Sequence, residues 1–255
     1  MCETCGCGAK SGEGHRTIPV LEALLAENDR IATHVHEHLD AHGVLAINLM
    51  SSPGSGKTSL LEATLDALPP GLRVAVIEGD LETENDAARI RRHGVPAVQI
   101  TTGVACHLDA AMVHDALHGF PLDEIDILFI ENVGNLVCPA DFDIGAHLAV
   151  VLLSVTEGDD KPEKYPVIFR NADRVLLTKT DLLGVLDEFS PSRARASLER
   201  VRGTGKQGAA NALAEVSAKT GAGLAEWVSW LAAQLAAHRA RCPRPTGKVA
   251  AHHHG

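Results

Sequence analysis

The stretch VLAINLMSSPGSGKTSLLEATLDAL (44–68) decides the fold. It opens on VLAINLM (44–50), a near-continuous apolar run of the kind that forms a strand buried on both faces of a sheet. It closes on KTSLLEATLDAL (57–68), where apolar residues recur at helical spacing. Between them lies SSPGSGKT (51–58). A Gly-rich turn that leaves a buried strand and opens a helix aims backbone N–H groups and the helix N-terminus at an anion, the arrangement that cradles phosphates. The usual spacing is G-x-x-x-x-G-K-S/T, and Ser51 stands where the first glycine is expected. The alternative is a turn that merely connects strand to helix; GSGKT with the correct flanks weighs against it. On this reading Gly54, Ser55, Gly56, Lys57, Thr58 and Ser59 contact nucleotide. Lys57 reaches the β- and γ-phosphates, and the Thr58 hydroxyl ligates Mg²⁺.

Outward from this unit, further buried-strand patterns follow at RVAVIE (73–78), AVQI (97–100), DILFIE (126–131), LAVVLLS (148–154), RVLLTK (174–179) and AEVSA (214–218). Helical patterns lie between most of them, including TENDAARIRRH (83–93), HLDAAMVHDALH (107–118) and LAEWVSWLAAQLAAHRAR (224–241). Strands alternating with helices predict an α/β fold, a mostly parallel central sheet flanked by helices. The expected organisation is a flexible Cys-containing tail over 1–17, one or two helices over 18–43, a nucleotide-binding domain over 44–241 and a disordered tail over 242–255. No internal repeat interrupts it.

Hydrolysis needs carboxylates at the C-terminal ends of neighbouring strands to hold Mg²⁺, directly or through water. Glu131 ends DILFIE, three residues before Gly134, so its carboxylate and the Gly134 N–H are both expected to face the γ-phosphate. Asp80, just past RVAVIEG, is the second such carboxylate. Either residue also suits a helix cap. With Lys57 they form the expected catalytic set.

The later strands choose the base. TKTD supplies Thr178, Lys179 and Asp181 at the spacing of the guanine-reading N-K-x-D. A buried Asp181 accepts from the ring N–H and amino group of guanine, and adenine leaves it unpaired. The Lys179 stem lies along the base, and Ser217, Ala218 and Lys219 of EVSAKTG resemble the last guanine-contacting loop. Thr178 in place of Asn is expected to weaken the link between the base site and the phosphate loop. Asn135 follows Gly134 where a Ras-type GTPase has its water-orienting Gln, so slow turnover is expected.

Composition removes other classes. A net charge of −10 leaves no broad basic surface for nucleic acid. No apolar run reaches membrane-spanning length, and the N-terminus lacks a secretory signal, so a cytoplasmic protein is expected. In a reduced compartment clustered thiols are more often metal ligands than staples. MCETCGC (1–7) places Cys2, Cys5 and Cys7 beside the Met1 α-amine, a donor set suited to square-planar Ni²⁺. The alternative is a group of exposed, oxidisable thiols. Cys106 and His107, at the start of the expected helix after VQITTGVA, and Cys138 form a second set, open or completed by a second subunit. His34, His38 and His42 share one helical face, either a loose metal site with His36 or simply a solvated face. Cys242 reads as incidental.

With MCETCGC, SSPGSGKT, EGDLETENDA, GVACHLDA, IENVGNLVCPADFDIG and VTEGDDKPEKYP in hand, the sequence resembles the HypB family, the nickel-incorporation GTPases of NiFe-hydrogenase maturation. The resemblance runs across nearly the whole chain. It implies a GTPase of the class that dimerises with nucleotide bound. It also implies delivery of Ni²⁺ to the hydrogenase large-subunit precursor with a small zinc-containing partner, HypA. By motif, the family's tail site falls on Cys2, Cys5 and Cys7, and its G-domain site for nickel or zinc at the dimer interface falls on Cys106, His107 and Cys138. The long polyhistidine tract of some members is absent.

Three other readings are weaker. The urease nickel GTPases carry Cys-Pro-His where this chain has Cys138-Pro139-Ala140. A P-loop kinase needs an acceptor pocket and an Arg-rich lid, and no such segment is present. A passive metal buffer explains MCETCGC but not the nucleotide machinery.

Overall fold

Alternate residues of each central strand face opposite sides of one sheet, and that alternation builds two apolar layers. The computed structural model describes residues 14–80, 85–103, 105–203 and 213–244, with side chains from residue 22. In chain order the elements are α1 (Gly14–Ala41), β1 (Leu45–Ser51), α2 (Lys57–Ala67), β2 (Val74–Asp80), α3 (Asn85–Arg91), β3 (Ala97–Thr101), α4 (Ala110–Leu117), β4 (Ile127–Glu131), β5 (Leu148–Ser154), α5 (Lys161–Lys164), α6 (Pro166–Asn171), β6 (Arg174–Thr178), α7 (Pro191–Arg202), β7 (Leu213–Glu215) and α8 (Leu224–Arg241). The sheet runs β3-β2-β4-β1-β5-β6-β7. Every pairing is parallel, as the expected α/β architecture requires.

Leu45, Ile47 and Leu49 of β1 pack with Ile127 and Phe129 of β4 beneath α2 and α8, where Trp227, Leu231 and Leu235 complete the layer. The Trp227 indole N–H, buried in that layer, donates to Thr64 Oγ1 at 3.0 Å. On the opposite face, Ala46, Leu128 and Ile130 meet Val35 and Leu39 of α1 and Val113 of α4. The same face continues under α6 and α7 through Val151, Leu153, Phe169 and Leu198. Both faces are covered, which is why these strands read as continuous apolar runs rather than alternating ones.

One helix, α1, covers the segment expected to hold one or two, and it begins at Gly14, inside the stretch expected to be tail. Asn28 fixes its position, accepting from Ala110 N at 3.0 Å and donating to Asp143 O at 2.8 Å. Among the described residues no helix is long and apolar enough to cross a membrane.

Candidate functional site

The site forms where β1 stops at the centre of the sheet. Gly56, at φ 93°, takes the left-handed turn that points the first N–H groups of α2 back toward the strand ends. Ser55 Oγ donates to Ser52 O at 2.7 Å and pairs with Glu157, stiffening the loop from within. Lys57 is buried, its ammonium 3.1 Å from Ser51 Oγ and 3.9 Å from Glu131 Oε1. Ser51, where a glycine was expected, therefore holds the lysine. Thr58 Oγ1 donates to Glu131 Oε1 at 2.9 Å, bringing together the loop hydroxyl and the strand-end carboxylate as expected. Gly134 abuts the loop so closely that a Cβ there would sit 2.8 Å from Pro53 Cα. Asp80 ends β2, and its carbonyl accepts from Thr102 N at 2.9 Å.

A carboxyl group that the sequence reading missed completes this end of the sheet. Glu78 is the register partner of Glu131 across β2 and β4, and both side chains are buried. Burial, reinforced by the neighbouring Glu131 carboxylate and a hydrogen bond to it, pushes the Glu78 pKa up to about 11. Burial likewise pushes Glu131 up, against the pull of Lys57 and the hydrogen bonds from Glu78 and Thr58. Two carboxyls this close cannot both ionise in a low-dielectric site, so Glu78 is the protonated partner. Its signal in sequence is faint, a lone acid inside RVAVIEGD with no recognised spacing.

On the other side of the loop lies a cavity of about 330 Å³, lined by Gly56, Ser59, Thr178, Lys179, Asp181, Ala218 and Lys219. Asp181 accepts from Ser217 Oγ at 2.7 Å, and that hydroxyl holds the carboxyl below the usual carboxylate range. The Asp181 side chain is 14% exposed. Lys179, in the left-handed conformation at φ 58°, donates its ammonium to Gly54 O at 2.7 Å. Thr178 still reaches the phosphate loop. Its hydroxyl donates to Ser55 O at 2.8 Å, tying the strand that lines this cavity to the phosphate loop without the Asn.

Cys106, His107 and Cys138 converge as expected, with donor atoms within 4.8 Å of one another. The two sulfurs are 2.8 Å apart, and Cys106 Sγ is 3.7 Å from His107 Nδ1. Burial lowers the His107 pKa, so it presents a neutral imidazole, and its ring lies tilted against Phe142 with centroids 4.1 Å apart. These residues do not begin a helix. Asp109 caps α4 by accepting from Met112 N at 2.8 Å, which leaves Cys106 and His107 in the preceding loop.

Asn132, also missed in sequence, joins the two halves of the site. Fully buried just after Glu131, it accepts from Leu108 N at 3.1 Å and donates to Asn48 Oδ1 at 3.3 Å. Asn135 donates to Cys106 O at 3.4 Å and accepts from Val137 N at 2.8 Å. The loops carrying both cysteines thus hang from the strand that carries Glu131. On α1, His38 lies between His34 and His42 and is joined by His114 of α4, 5.4 Å from His34, whereas His36 turns toward Asp40. Met1, Cys2, Cys5 and Cys7 lie outside the described residues.

Fold and site together define a P-loop nucleotide-binding protein. Residues 45–206 match the family model "CobW/HypB/UreG, nucleotide-binding domain". Hydrogenase maturation factor HypB of Azotobacter vinelandii is 49% identical over 219 residues, 86% of this chain and 70% of that protein. The crystal structure of HypB from Helicobacter pylori in complex with nickel superposes at a TM-score of 0.75 with 38% identity, covering 88% of this chain and 100% of that one. HypB from Archaeoglobus fulgidus gives the same TM-score, with 40% identity over 83% of this chain and 100% of that one. The chain belongs to the HypB family of hydrogenase maturation factors.

Proposed function

We propose that the protein is a slow GTPase that carries Ni²⁺ to the precursor of the hydrogenase large subunit and couples the state of its metal site to the nucleotide it holds. One observation carries this reading: the end of β4 places Glu131 against Thr58 of the phosphate loop and, one residue later, Asn132 against the loop bearing Cys106 and His107. A change at the γ-phosphate that moves Glu131 or Gly134 must therefore strain the cysteine loops, because these groups are close-packed and hydrogen-bonded rather than linked by slack chain.

Lys57 neutralises the β- and γ-phosphates, and the N–H groups of Gly54, Ser55, Gly56, Thr58 and Ser59 cradle them. Guanine occupies the Thr178–Asp181 cavity, with Asp181 as acceptor and Ser217, Ala218 and Lys219 along its edge. The oxygen donors fit Mg²⁺: the Thr58 hydroxyl and the Glu131 carboxylate converge, and Glu131 Oε2 is buried without a hydrogen-bond partner. Thr58 and Glu131, with Asp80 nearby, would hold Mg²⁺, which neutralises phosphate charge when bound. Both ends of the Asn135 amide are engaged within the cysteine loops, so it is not free to orient an attacking water, and slow turnover follows.

Soft sulfurs with one imidazole suit Ni²⁺ or Zn²⁺ at Cys106, His107 and Cys138. Three donors leave the set incomplete, and a second copy of the chain supplies the rest in a GTP-dependent homodimer. Met1, Cys2, Cys5 and Cys7 are proposed as the site that first captures Ni²⁺. Exchange with a HypA-like zinc-containing partner in the cytoplasm completes the scheme. The nickel-bound H. pylori relative supports this reading.

The test is anaerobic Ni²⁺ titration of a variant with Cys2, Cys5 and Cys7 changed to Ser, loaded with GDP or with a non-hydrolysable GTP analogue. The expected result is a five-fold or larger difference in affinity between the two states, abolished by Lys57→Ala and by Cys138→Ser. Equal affinities would refute the coupling. Equal binding of ATP and GTP would refute the guanine assignment.

A further inference from the structure

We propose a second, separate metal site, a Zn²⁺-type centre formed by His36, Asp40, His238 and Cys242, which ties the C-terminal end of α8 to α1. It does not depend on the nucleotide reading. Its anchor, Asp40, is linked through His147 to Ala46 at the start of β1, at the end of that strand opposite the phosphate loop. One ion therefore cannot serve both this site and the Cys106 site.

Each helix contributes donors one turn apart, His36 and Asp40 from α1, His238 and Cys242 from the last turn of α8 and its cap. That spacing stacks two side chains on one face. The donor atoms of Asp40, His238 and Cys242 lie within 4.8 Å of one another. His36 Nε2 is 3.7 Å from Asp40 Oδ2, and His238 Nδ1 is 3.9 Å from Asp40 Oδ1. Both distances are too long for hydrogen bonds. They end on the two oxygens of the carboxylate, one histidine at each, and both are close to the roughly 3.3–3.8 Å separation of neighbouring ligands around a tetrahedral ion with bonds of about 2.0–2.3 Å.

His238 supplies the second observation. It is 1% exposed, and its Nε2 has no hydrogen-bond partner. The nitrogen that faces the Asp40 carboxylate is Nδ1, placed to ligate and too far from Oδ1 to hydrogen-bond to it. His147 shows the contrast. Its Nδ1 accepts from Ala46 N at 2.9 Å, so the proton sits on Nε2, which donates to Asp40 Oδ1 at 3.0 Å. With both nitrogens committed, His147 is not a ligand. It orients the carboxylate that is one, as outer-shell partners of metal sites do.

A thiolate, a carboxylate and two neutral imidazoles around a divalent cation carry no net charge, which limits the penalty of burial. The His36 side chain, 45% exposed, provides the way in. Binding breaks the Cys242 S–H bond, forms the metal–sulfur bond and releases one proton to solvent. A mixed S, N, N, O set favours Zn²⁺ over the square-planar preference of Ni²⁺.

Co²⁺ is the spectroscopic probe. With Cys2, Cys5, Cys7, Cys106 and Cys138 replaced by Ser, Cys242 is the only thiol in the full chain. One equivalent of Co²⁺, added anaerobically, is expected to give a thiolate-to-cobalt charge-transfer band with tetrahedral d–d bands, both lost on adding Zn²⁺. Cys242→Ser should abolish the band, and His238→Asn should weaken Co²⁺ binding at least ten-fold. Absence of the band, or its survival in Cys242→Ser, overturns the proposal. Should the multiply substituted protein not fold by circular dichroism, the wild-type chain is titrated beside Cys242→Ser alone. The number of thiolate-bound cobalt equivalents must then fall by one, and no change overturns the proposal.

Discussion

Glu78 and Glu131 face each other as register partners on adjacent parallel strands, both buried, and burial pushes both carboxyls above the ordinary range. The acid of this pair has its folded pKa raised above the ordinary 4.5, to about 11. The folded state therefore keeps a proton that the unfolded chain has released, and stability falls as pH rises above about 4.5. Glu78→Gln removes that dependence and keeps a neutral group able to donate to Glu131. The nucleotide-free variant is expected to be more stable than the parent by a few kcal/mol at pH 8, with the gain shrinking toward pH 5. Urea unfolding at the two pH values measures it, and an equal gain at both would refute the proton on Glu78.

Asp126 makes the opposite kind of contribution. Burial alone pushes its carboxyl up, but hydrogen bonds from Arg73 and Arg239 outweigh burial and hold it below the usual range. Arg73 grips it through Nη2 at 2.9 Å and Nε at 3.1 Å, and Arg239 through Nη2 at 2.7 Å. A depressed carboxylate stabilises the fold above its unfolded pKa, and that stability is lost as pH falls through the folded value. Asp126→Asn should cost about 2 kcal/mol at pH 7, discounted for the half-exposed arginines, and progressively less below pH 4. Thermal unfolding across pH 3–7 is the measurement.

Thr178 is expected to govern nucleotide affinity through the phosphate loop. Its hydroxyl bonds the Ser55 carbonyl at 2.8 Å, and valine keeps the shape while removing the donor. Leaving a buried carbonyl unpaired costs about 1–3 kcal/mol, so Thr178→Val should weaken GDP binding roughly ten-fold. Thr178→Asn should stay within about two-fold, since the amide restores a donor. Calorimetry on both variants decides the point. A Val variant with parental affinity would show that the link does not support the base site.

Asn132 should matter more for coupling than for either site alone. Asn132→Ala leaves the Leu108 N–H and the Asn48 carbonyl unsatisfied, a loss of about 2 kcal/mol in stability. The affinity of the cysteine site should survive, while its dependence on nucleotide collapses toward unity. A variant that loses metal binding but keeps the dependence would assign Asn132 to the metal site instead.

Much of this was legible in the order of residues. The buried strands declared themselves because both sheet faces are covered, so no polar alternation diluted their apolar runs. The phosphate loop, the TKTD cavity and the converging cysteines were legible because each depends on spacing within one turn or loop, or on a motif whose partners are fixed by strand-end geometry. The helix expected at Cys106 and His107 was misplaced because Asp109 caps three residues later, a choice made by one local hydrogen bond. The bond from Thr178 to the phosphate loop was not legible, because its partner is a loop carbonyl distant in sequence.

Glu78, Asn132 and the ring of donors around Asp40 left no such local trace. Register across β2 and β4 pairs Glu78 with Glu131, and the meeting of the C-terminal ends of α1 and α8 brings His238 and Cys242 to Asp40. Sequence alone determined which short segments carry the phosphate-loop motif, the TKTD motif and the clustered soft donors, because those patterns need only neighbours along the chain. Tertiary structure decided which buried acid keeps a proton, which amide joins the two sites and which distant histidines share a carboxylate. Those depend on contacts between residues far apart in sequence, and only the closed fold brings them within a few ångströms.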